Sequence, residues 1–325
     1  MIESNSTAVL PDADSLVPVA IESLYCDEGF EFDLYLCLGR NQPPVLYRER
    51  TFPCRHSDLD LLRSRGLRSL HIPADAHSRY LEYLQTKLLT NETAPLTARF
   101  CALREINRLA FLDSLQSTGV DKLVEVATRY GKDLADLIYD NGGVTPRLFD
   151  LLDHDDCPFV HATNVCVYTV ILAKHLMIQG SEEPSAIATG ALLHDLGKRK
   201  IAPSILHKSD ELTDDELFLV KRHPQSGFDE LSRRKDLTWP QLMMVYQHHE
   251  RVDGRGYPVQ VPRSQIEFWA RICAVANAFD ALTSERPYRR TKSPADAMRY
   301  LVDKSDMLFD KEVVKCWIKS VKPIH

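Results

Sequence analysis

Histidine and aspartate side chains in the second half of the sequence have the types and spacing of a transition-metal site. They form two tandem pairs, in ALLHDLGK and YQHHERVDGRGYP, and two isolated histidines on separate predicted helices. A single histidine on an apolar helix is usually a packed core residue. Imidazoles and one carboxylate that converge from several helices are instead what a metal site in a helical bundle requires. The candidate ligands are His161, His194, Asp195, His223, His248 and His249.

The tandem pairs favour two neighbouring ions over one. Adjacent helical residues point about 100° apart, so a His-Asp or His-His pair is badly placed to chelate a single ion. The two oxygens of Asp195 can bridge ions about 3.5–4 Å apart, and such ions can hold a hydroxide that attacks phosphorus in line. Lys198 follows three residues later, near the same face, where its ammonium can neutralise a phosphate oxygen. The alternative for Lys198 is a solvated helix end after Gly197.

A turn sequence, DGRGYP, comes directly after the second histidine pair. Gly254, Gly256 and Pro258 are typical of a tight turn, and the two glycines allow the backbone to come close to a ligand. Tyr257 adds a ring and a hydroxyl group. The alternative interpretation is an ordinary loop that ends a helix.

The stretch AVANAFDALTSERPYRR opens as an apolar helix but carries two polar residues, Asn277 and Asp280. Their spacing places both on one helical face, where a buried amide and a buried carboxylate cost free energy unless something binds them. Arg286, Arg289 and Arg290 follow, and guanidinium groups suit phosphate. For these arginines the alternative is a solvated basic helix end.

The elements before this region have a different pattern. Residues Phe30 to Leu38 alternate with the period of a β-strand, and LRSLHIP predicts another strand. Between them, Ser57 is predicted to cap a helix that Gly66 ends. We therefore predict a disordered tail over residues 1–14 and a small α/β regulatory domain over residues 15–95.

From residue 97 onward the pattern is helical. Predicted helix starts lie at Pro184, Thr213, Ser293 and Asp310. We predict a helical linker over residues 96–141 and an all-α domain over residues 142–325. The predicted fold class is α+β, with the small N-terminal α/β domain followed by a helical bundle.

Composition excludes several classes of protein. The 325 residues are 44% hydrophobic and 26% charged, and the formal net charge of -6 argues against a nucleic-acid polymer as partner. The eight cysteines contain no CxxC pair, which favours reduced thiols over a zinc ribbon or a disulfide framework. The N-terminus lacks the features of a signal peptide, and the longest apolar run is too short to span a bilayer. We expect a cytoplasmic protein without a membrane partner.

The sequence resembles the HD-GYP family of cyclic-dinucleotide phosphodiesterases, a branch of the HD superfamily. The resemblance covers roughly residues 145–325 and rests on HDLGK, KRHPQSG, HHERVDGRGYP and FDALTSERPYRR, in that order. It implies a helical bundle that holds two or three metals, often iron or manganese, with nickel, cobalt or zinc as alternatives. It further implies hydrolysis of cyclic di-GMP, often through linear pGpG to GMP, or of cyclic GMP-AMP in some members.

Residue by residue, the resemblance implies the same six metal ligands, with Asp195 bridging. Lys198 would contact the scissile phosphate, and Arg286 and Arg289 would hold substrate phosphate. Gly256 and Tyr257 would shape the pocket. The N-terminal part is similar to poorly characterised domains that precede some HD-GYP modules, and neither a phosphoacceptor pattern nor a Gly-rich phosphate loop occurs there.

Two positions depart from the family pattern. Trinuclear members carry a glutamate one turn before the first histidine, where this chain has Cys157. His154, Asp155 and Asp156 are out of step with that position, so two metals are predicted. The other departure is Asn277, where the family has an aspartate that completes the first metal site. An amide oxygen is a neutral ligand, so we expect weaker metal binding there.

Asn277 leaves two classes of function open. One is a binuclear phosphodiesterase, with Asp280 either packed beside the ligands or compensating for the missing charge. The other is a catalytically weak or inactive cyclic-dinucleotide sensor or protein-interaction module, whose N-terminal domain relays binding to partners such as diguanylate cyclases. A homodimer is a separate partner prediction. A mononucleotide phosphohydrolase of the HD superfamily is a third alternative, but it does not need the GYP turn.

Overall fold

The fold is taken from a computed structural model, in which the chain divides into two compact units, Met1–Ile106 and Asn107–His325. The structure describes residues 15–25, 29–37, 42–114, 119–140, 152, 158–180, 182–208, 210–284 and 291–321. The predicted tail over residues 1–14 lies outside this described part.

A four-stranded antiparallel sheet forms the N-terminal unit together with helices. Its strands are β1 (Leu16–Ala20), β2 (Leu34–Leu36), β3 (Val45–Arg48) and β4 (Ser69–Pro73), in the spatial order β1-β4-β2-β3. Of the predicted alternating stretch, only β2 forms a described strand, and a register shift between Leu34 and Tyr35 interrupts its pairing with β3. Phe30 and Phe32, which precede β2, are buried and stack on each other.

Three helices belong to this first part of the chain: α1 (His56–Ser64), α2 (His77–Tyr83), which continues as a π-helical turn to Leu89, and α3 (Leu96–Ser114). The prediction that Ser57 caps α1 is wrong. The helix begins two residues earlier, at His56 with Arg55 as the N-cap residue, and Asp58 turns back to accept the backbone N–H of Arg55 at 3.2 Å. Gly66 ends the helix as predicted, with a φ of 80° that favours glycine.

The remaining described elements are helical, and this confirms the predicted α+β fold class. They are α4 (Asp121–Asp140), α5 (Pro158–His175), α6 (Glu183–Leu193), a 3-10 turn (Leu196–Lys200), α7 (Pro203–Leu206), α8 (Asp214–Lys221), α9 (His223–Leu231), α10 (Trp239–Gln247), a 3-10 turn (Arg263–Gln265), α11 (Phe268–Thr283), α12 (Pro294–Asp303) and α13 (Lys311–Val321). No helix among the described residues is long and apolar enough to cross a bilayer.

Hydrogen bonds confirm the predicted helix starts at Thr213, Ser293 and Asp310. Thr213 and Glu216 form a reciprocal capping box at α8, and Ser293 caps α12 with Pro294 as its first residue. Pro184 lies in the first turn of α6. Asp310 accepts the backbone N–H of Glu312 at the start of α13, and its other oxygen binds two arginines.

Helix packing in the unit Asn107–His325 brings the ends of several helices together. Helix α6 packs against α4, α5 and α10, and α11 packs against α5 and α10. Buried aromatic rings of Tyr168, Phe279 and Trp317 meet edge to face and join α5, α11 and α13. Because cores of this kind tolerate little displacement, the side chains at the helix ends are held in fixed positions.

Candidate metal centre

The first structural requirement of the site is a close approach between the turn after α6 and the start of α9. A Cβ atom on Gly197 would lie 1.9 Å from the carbonyl oxygen of His223 and 2.6 Å from the backbone nitrogen of Gly227. Only glycine permits this contact. It brings the turn that carries Asp195 against the helix that begins with His223.

Six of the predicted ligands form two clusters that share Asp195. Within each cluster the candidate ligand atoms lie within 4.8 Å of one another. The first cluster consists of His161, His194 and Asp195, and the second cluster consists of Asp195, His223, His248 and His249. These residues come from α5, from the ends of α6 and α10, and from the start of α9.

Asp195 turns a different oxygen toward each cluster. Its Oδ2 lies 3.4 Å from Nε2 of His161 and 3.4 Å from Nε2 of His194. Its Oδ1 lies 3.2 Å from Nε2 of His223 and 3.6 Å from Nε2 of His248. A carboxylate in this position is able to bridge two ions, as its predicted role requires.

Hydrogen bonds at Nδ1 fix the orientation of four of the rings. His194 bonds the carbonyl of Ala191 at 2.6 Å, and His223 bonds that of Val220 at 2.7 Å. His248 bonds the carbonyl of Val245 at 3.0 Å. The rings therefore carry their proton on Nδ1 and turn the lone pair of Nε2 toward Asp195, which is the form that binds a metal.

His161 follows the same rule with a charged partner. Its Nδ1 lies 2.6 Å from Oδ2 of Asp280, a fully buried carboxylate on α11. Asp280 also accepts the side-chain amide of Asn164 at 2.8 Å and the hydroxyl of Ser284 at 3.2 Å. The carboxylate thus contacts a ligand directly, in addition to tying α11 to α5.

The donor set fits a pair of divalent transition metals. Nε2 of His161, Nε2 of His194 and Oδ1 of Asp195 are buried and have no hydrogen-bond partner among the described residues. Buried polar atoms without a partner are costly, and imidazole nitrogen with carboxylate oxygen is a donor set for such metals. Nε2 of His223 lies only 3.1 Å from Nε2 of His248, a separation that two ligands of one ion can adopt.

Burial keeps most of the imidazole rings neutral. It lowers the pKa of His194, lowers the pKa of His248 to about 3, and lowers that of His249 well below its usual range. His161 differs: burial alone would lower its pKa, but the neighbouring carboxylates of Asp195 and Asp280 outweigh burial and raise it. Neutral imidazole is the form that coordinates a metal.

Lys198 lies at the edge of this site and pairs with the shared carboxylate. Its Nζ donates to Oδ2 of Asp195 at 2.5 Å, and its side chain is about one-third exposed, at 32%. Burial alone would raise the pKa of Asp195, but the charge of Lys198 and the neighbouring histidines hold it well below its usual range. The shared oxygen atoms are therefore ionised over the whole physiological range of pH.

Gly256 and Tyr257, from the turn sequence, lie against the second cluster. The Tyr257 ring stacks on His249 with 4.6 Å between centroids and 21° between planes. A Cβ atom on Gly256 would lie 2.4 Å from the backbone nitrogen of Arg251, so the turn requires glycine there. Nζ of Lys221 lies 5.9 Å from the centroid of the Tyr257 ring.

Three residues of the site were missed by sequence reasoning. The buried carboxylate of Glu250 accepts the backbone N–H groups of Val259 and Gln260, at 2.6 and 3.0 Å, and so anchors the turn. Asn164 follows His161 by one helical turn, and Lys221 precedes His223 by two residues. The helical spacing from His161 could have identified Asn164, and the motifs KRHPQSG and HHERVDGRGYP contain Lys221 and Glu250.

The remaining predicted positions are not members of the two clusters. Asn277 is half-buried on α11, and its side chain forms no hydrogen bond with the described residues. The positions outside the described residues are His154, Asp155, Asp156, Cys157, Arg286, Arg289 and Arg290.

Comparisons with known proteins agree with this geometry. The sequence model of the HD domain family matches residues 162–313. A cyclic di-GMP phosphodiesterase of Pseudomonas aeruginosa is 32% identical over 244 residues, which are 72% of this chain and 58% of that protein. The cyclic di-GMP phosphodiesterase response regulator RpfG of Xanthomonas campestris is 40% identical over 139 residues, 42% of this chain and 37% of that protein.

A cyclic GMP-AMP relative and a solved structure extend these matches. The 3'3'-cGAMP-specific phosphodiesterase 3 of Vibrio cholerae is 34% identical over 155 residues, 47% of this chain and 33% of that protein. A solved HDG"Y"P protein from Bdellovibrio bacteriovorus superposes with a TM-score of 0.69 and 19% identity, over 94% of this chain and 98% of that one.

The region matched by the HD domain model contains every residue of the two clusters except His161. The predicted resemblance to the HD-GYP family is confirmed by the cyclic di-GMP phosphodiesterases that the chain matches. The chain spans 58% of the length of the Pseudomonas relative and 37% of the Xanthomonas relative.

Proposed function

We propose that this chain is a metal-dependent phosphodiesterase that hydrolyses cyclic di-GMP to pGpG, to GMP, or to both. The observation that carries the proposal is the position of Asp195, whose two oxygens face two separate histidine clusters. The names of the Pseudomonas and Xanthomonas relatives support cyclic di-GMP as the substrate. Cyclic GMP-AMP is the alternative, supported by the Vibrio relative.

The two clusters would each hold one divalent ion. His161 and His194 would bind the first, His223, His248 and His249 the second, and Asp195 would bind both. Iron or manganese suits this mixture of imidazole and carboxylate, with nickel, cobalt and zinc as alternatives. When bound, such a pair of ions polarises the phosphodiester and lowers the pKa of water toward neutrality.

The side chains around the clusters would bind and orient the substrate. Lys198 would turn from Asp195 to a phosphate oxygen, where its charge stabilises the additional negative charge of the transition state. Tyr257, supported by His249, would form one wall of the pocket, and Gly256 would allow the backbone to approach the substrate. Arg286 and Arg289 would hold phosphate through paired N–H donors.

A second candidate function rests on Asn277. A neutral amide supplies no charge to an ion beside it, and Asn277 is half-buried without a hydrogen bond to the described residues. If the first ion binds too weakly for turnover, the protein would bind a cyclic dinucleotide without cutting it and act as a sensor or interaction module. We place the phosphodiesterase first because the six remaining candidate ligands come together in two clusters that share Asp195.

The test is a hydrolysis assay on protein loaded anaerobically with Fe(II) or Mn(II), beside an active relative loaded in the same way. Chromatography should detect pGpG or GMP from cyclic di-GMP. Absence of any linear product, with the relative active, would sink the enzyme proposal. The Asn277→Asp variant separates the two functions: equal turnover by native protein and variant would exclude the sensor, whereas turnover only in the variant would support it.

A further inference from the structure

Asp280 is the buried charged residue of this region for which the proposed function gives no role. Its side chain is fully buried on α11, one turn after Asn277. One oxygen accepts from His161 and Ser284, and the other accepts from Asn164. Burial of a carboxylate is expensive unless such hydrogen bonds compensate for lost water, so three donors converge here to keep it in place.

The contact with His161 sets this ligand apart from its neighbours. Among the described hydrogen bonds of the two clusters, the Nδ1 partners of His194, His223 and His248 are neutral backbone carbonyls. The Nδ1 partner of His161 is a carboxylate at 2.6 Å. A carboxylate acceptor draws the Nδ1 proton more strongly and makes Nε2 a stronger electron donor toward a metal.

We propose that Asp280 is a positioning residue that orients His161 and supplies, through its imidazole, negative charge to the first cluster, where the neutral Asn277 supplies none. This inference rests on the proposed two-metal site. Both oxygens of Asp280 are already bonded, so the carboxylate acts through His161 and does not itself bind the ion.

The packing of α11 against α5 explains why the charge of Asp280 lies beside the first cluster. Helix α11 packs against α5, which carries His161 and Asn164, so residues on its inner face reach the first cluster. Asn277 and Asp280 share that face because they are three residues apart. The carboxylate of Asp280 contacts Nδ1 of His161. The other ring nitrogen, Nε2, then points at Asp195, 3.4 Å from its Oδ2.

The experiment measures metal affinity in the full-length chain, by chelator competition with Mn(II) as the probe. Asp280→Asn should bind one of the two ions 10- to 100-fold more weakly, roughly the range for loss of a residue that supports a ligand, and leave the other unchanged. Adding Asn277→Asp to that variant should recover part of the loss, because it restores one negative charge to the same cluster. Unchanged affinity for both ions in Asp280→Asn would overturn the inference.

The matched control is Asn164→Ala. This change also removes a hydrogen bond of Asp280 that links α5 to α11, but it leaves the carboxylate and its bond to His161 in place. A purely structural role for Asp280 predicts equal metal loss in the two variants. The positioning role predicts a much smaller loss in Asn164→Ala than in Asp280→Asn.

A second measurement on the native protein does not depend on whether Asp280→Asn folds. In Zn(II)-loaded protein with ¹⁵N-labelled histidine, NMR should place the Nδ1 proton of His161 downfield of the Nδ1 protons of His194 and His223, with His161→Gln used for assignment. Equal shifts would contradict the inference. Native protein that holds two ions without turning over cyclic di-GMP would count against the proposed function alone, since these readouts involve no hydrolysis.

Discussion

The two clusters that share Asp195 are built differently, and the difference shows where this metal centre is weakest. The second cluster has three histidines, and the aromatic ring of Tyr257 stacks on one of them. The first cluster has two histidines, and the half-buried amide of Asn277 lies on the adjacent helix α11. We therefore expect the second cluster to depend on the number of its ligands, and the first to depend on charge supplied through His161.

The largest effect is expected from the residue that the clusters share. Asp195→Asn removes the charge that both ions need, so metal analysis of the purified variant should find neither ion, and hydrolysis should fall below detection. Asp229→Asn is the control, since Asp229 is an exposed carboxylate on α9 that bonds Gln225. Retention of both ions by Asp195→Asn would contradict the description of Asp195 as the bridge.

Single-histidine variants should separate the clusters. His161→Ala should lower the metal content from two ions per chain to one, because the first cluster keeps only one histidine. His248→Ala should weaken the second ion less, because two histidines and Asp195 remain there. The measurement is elemental analysis after dialysis against a weak chelator, and equal losses in both variants would remove the proposed difference.

The sequence predicted features that depend on neighbouring residues, and it did not predict contacts between residues far apart in the chain. The motifs that carry the six clustered residues, and the helix caps at Thr213 and Ser293, are local features of the sequence, so motif and pattern sufficed to single them out. The bond between His161 and Asp280 joins residues 119 positions apart, and no local pattern specifies such a partner. No local pattern predicts the contact of Gly197 with the start of α9 either, and this contact brings Asp195 close to His223.

Protonation of the metal-free protein should also differ between the clusters. His248 has a pKa lowered to about 3 from 6.5, so the unfolded chain binds more protons than the folded chain below about pH 6.5. Its contribution to the free energy of unfolding is full above that pH and is lost as the pH falls toward 3. His161 has a raised pKa, so its contribution has the opposite sign and is lost as the pH rises through that value.

Denaturant unfolding of chelator-treated protein between about pH 5 and 8 measures this difference. His248→Gln should flatten the rise of the free energy of unfolding with pH, because it removes a group that favours the folded state at higher pH. His161→Gln should make the rise steeper. If both variants changed the pH dependence of the free energy of unfolding in the same direction, the two clusters would not differ in protonation.

The smallest expected effect concerns the edge of the second cluster. Lys221 lies 5.9 Å from the Tyr257 ring centroid and forms no ion pair with the described residues, so its charge is available to an anionic substrate. Lys221→Ala should raise KM about two- to fivefold, the range for loss of one exposed cation–π or charge contact, with kcat and metal content unchanged. Lys221→Arg should keep the native KM. Loss of metal from Lys221→Ala would instead place Lys221 among the groups that support the ligands.

The most direct test of the central claim, that one carboxylate joins two metal clusters, is the number of ions held by anaerobically purified native protein. Elemental analysis should find two divalent transition-metal ions per chain, and the ion of the first cluster should leave before the other as chelator is added. A single ion per chain in protein that remains folded, even with Fe(II) or Mn(II) in excess, would contradict the account.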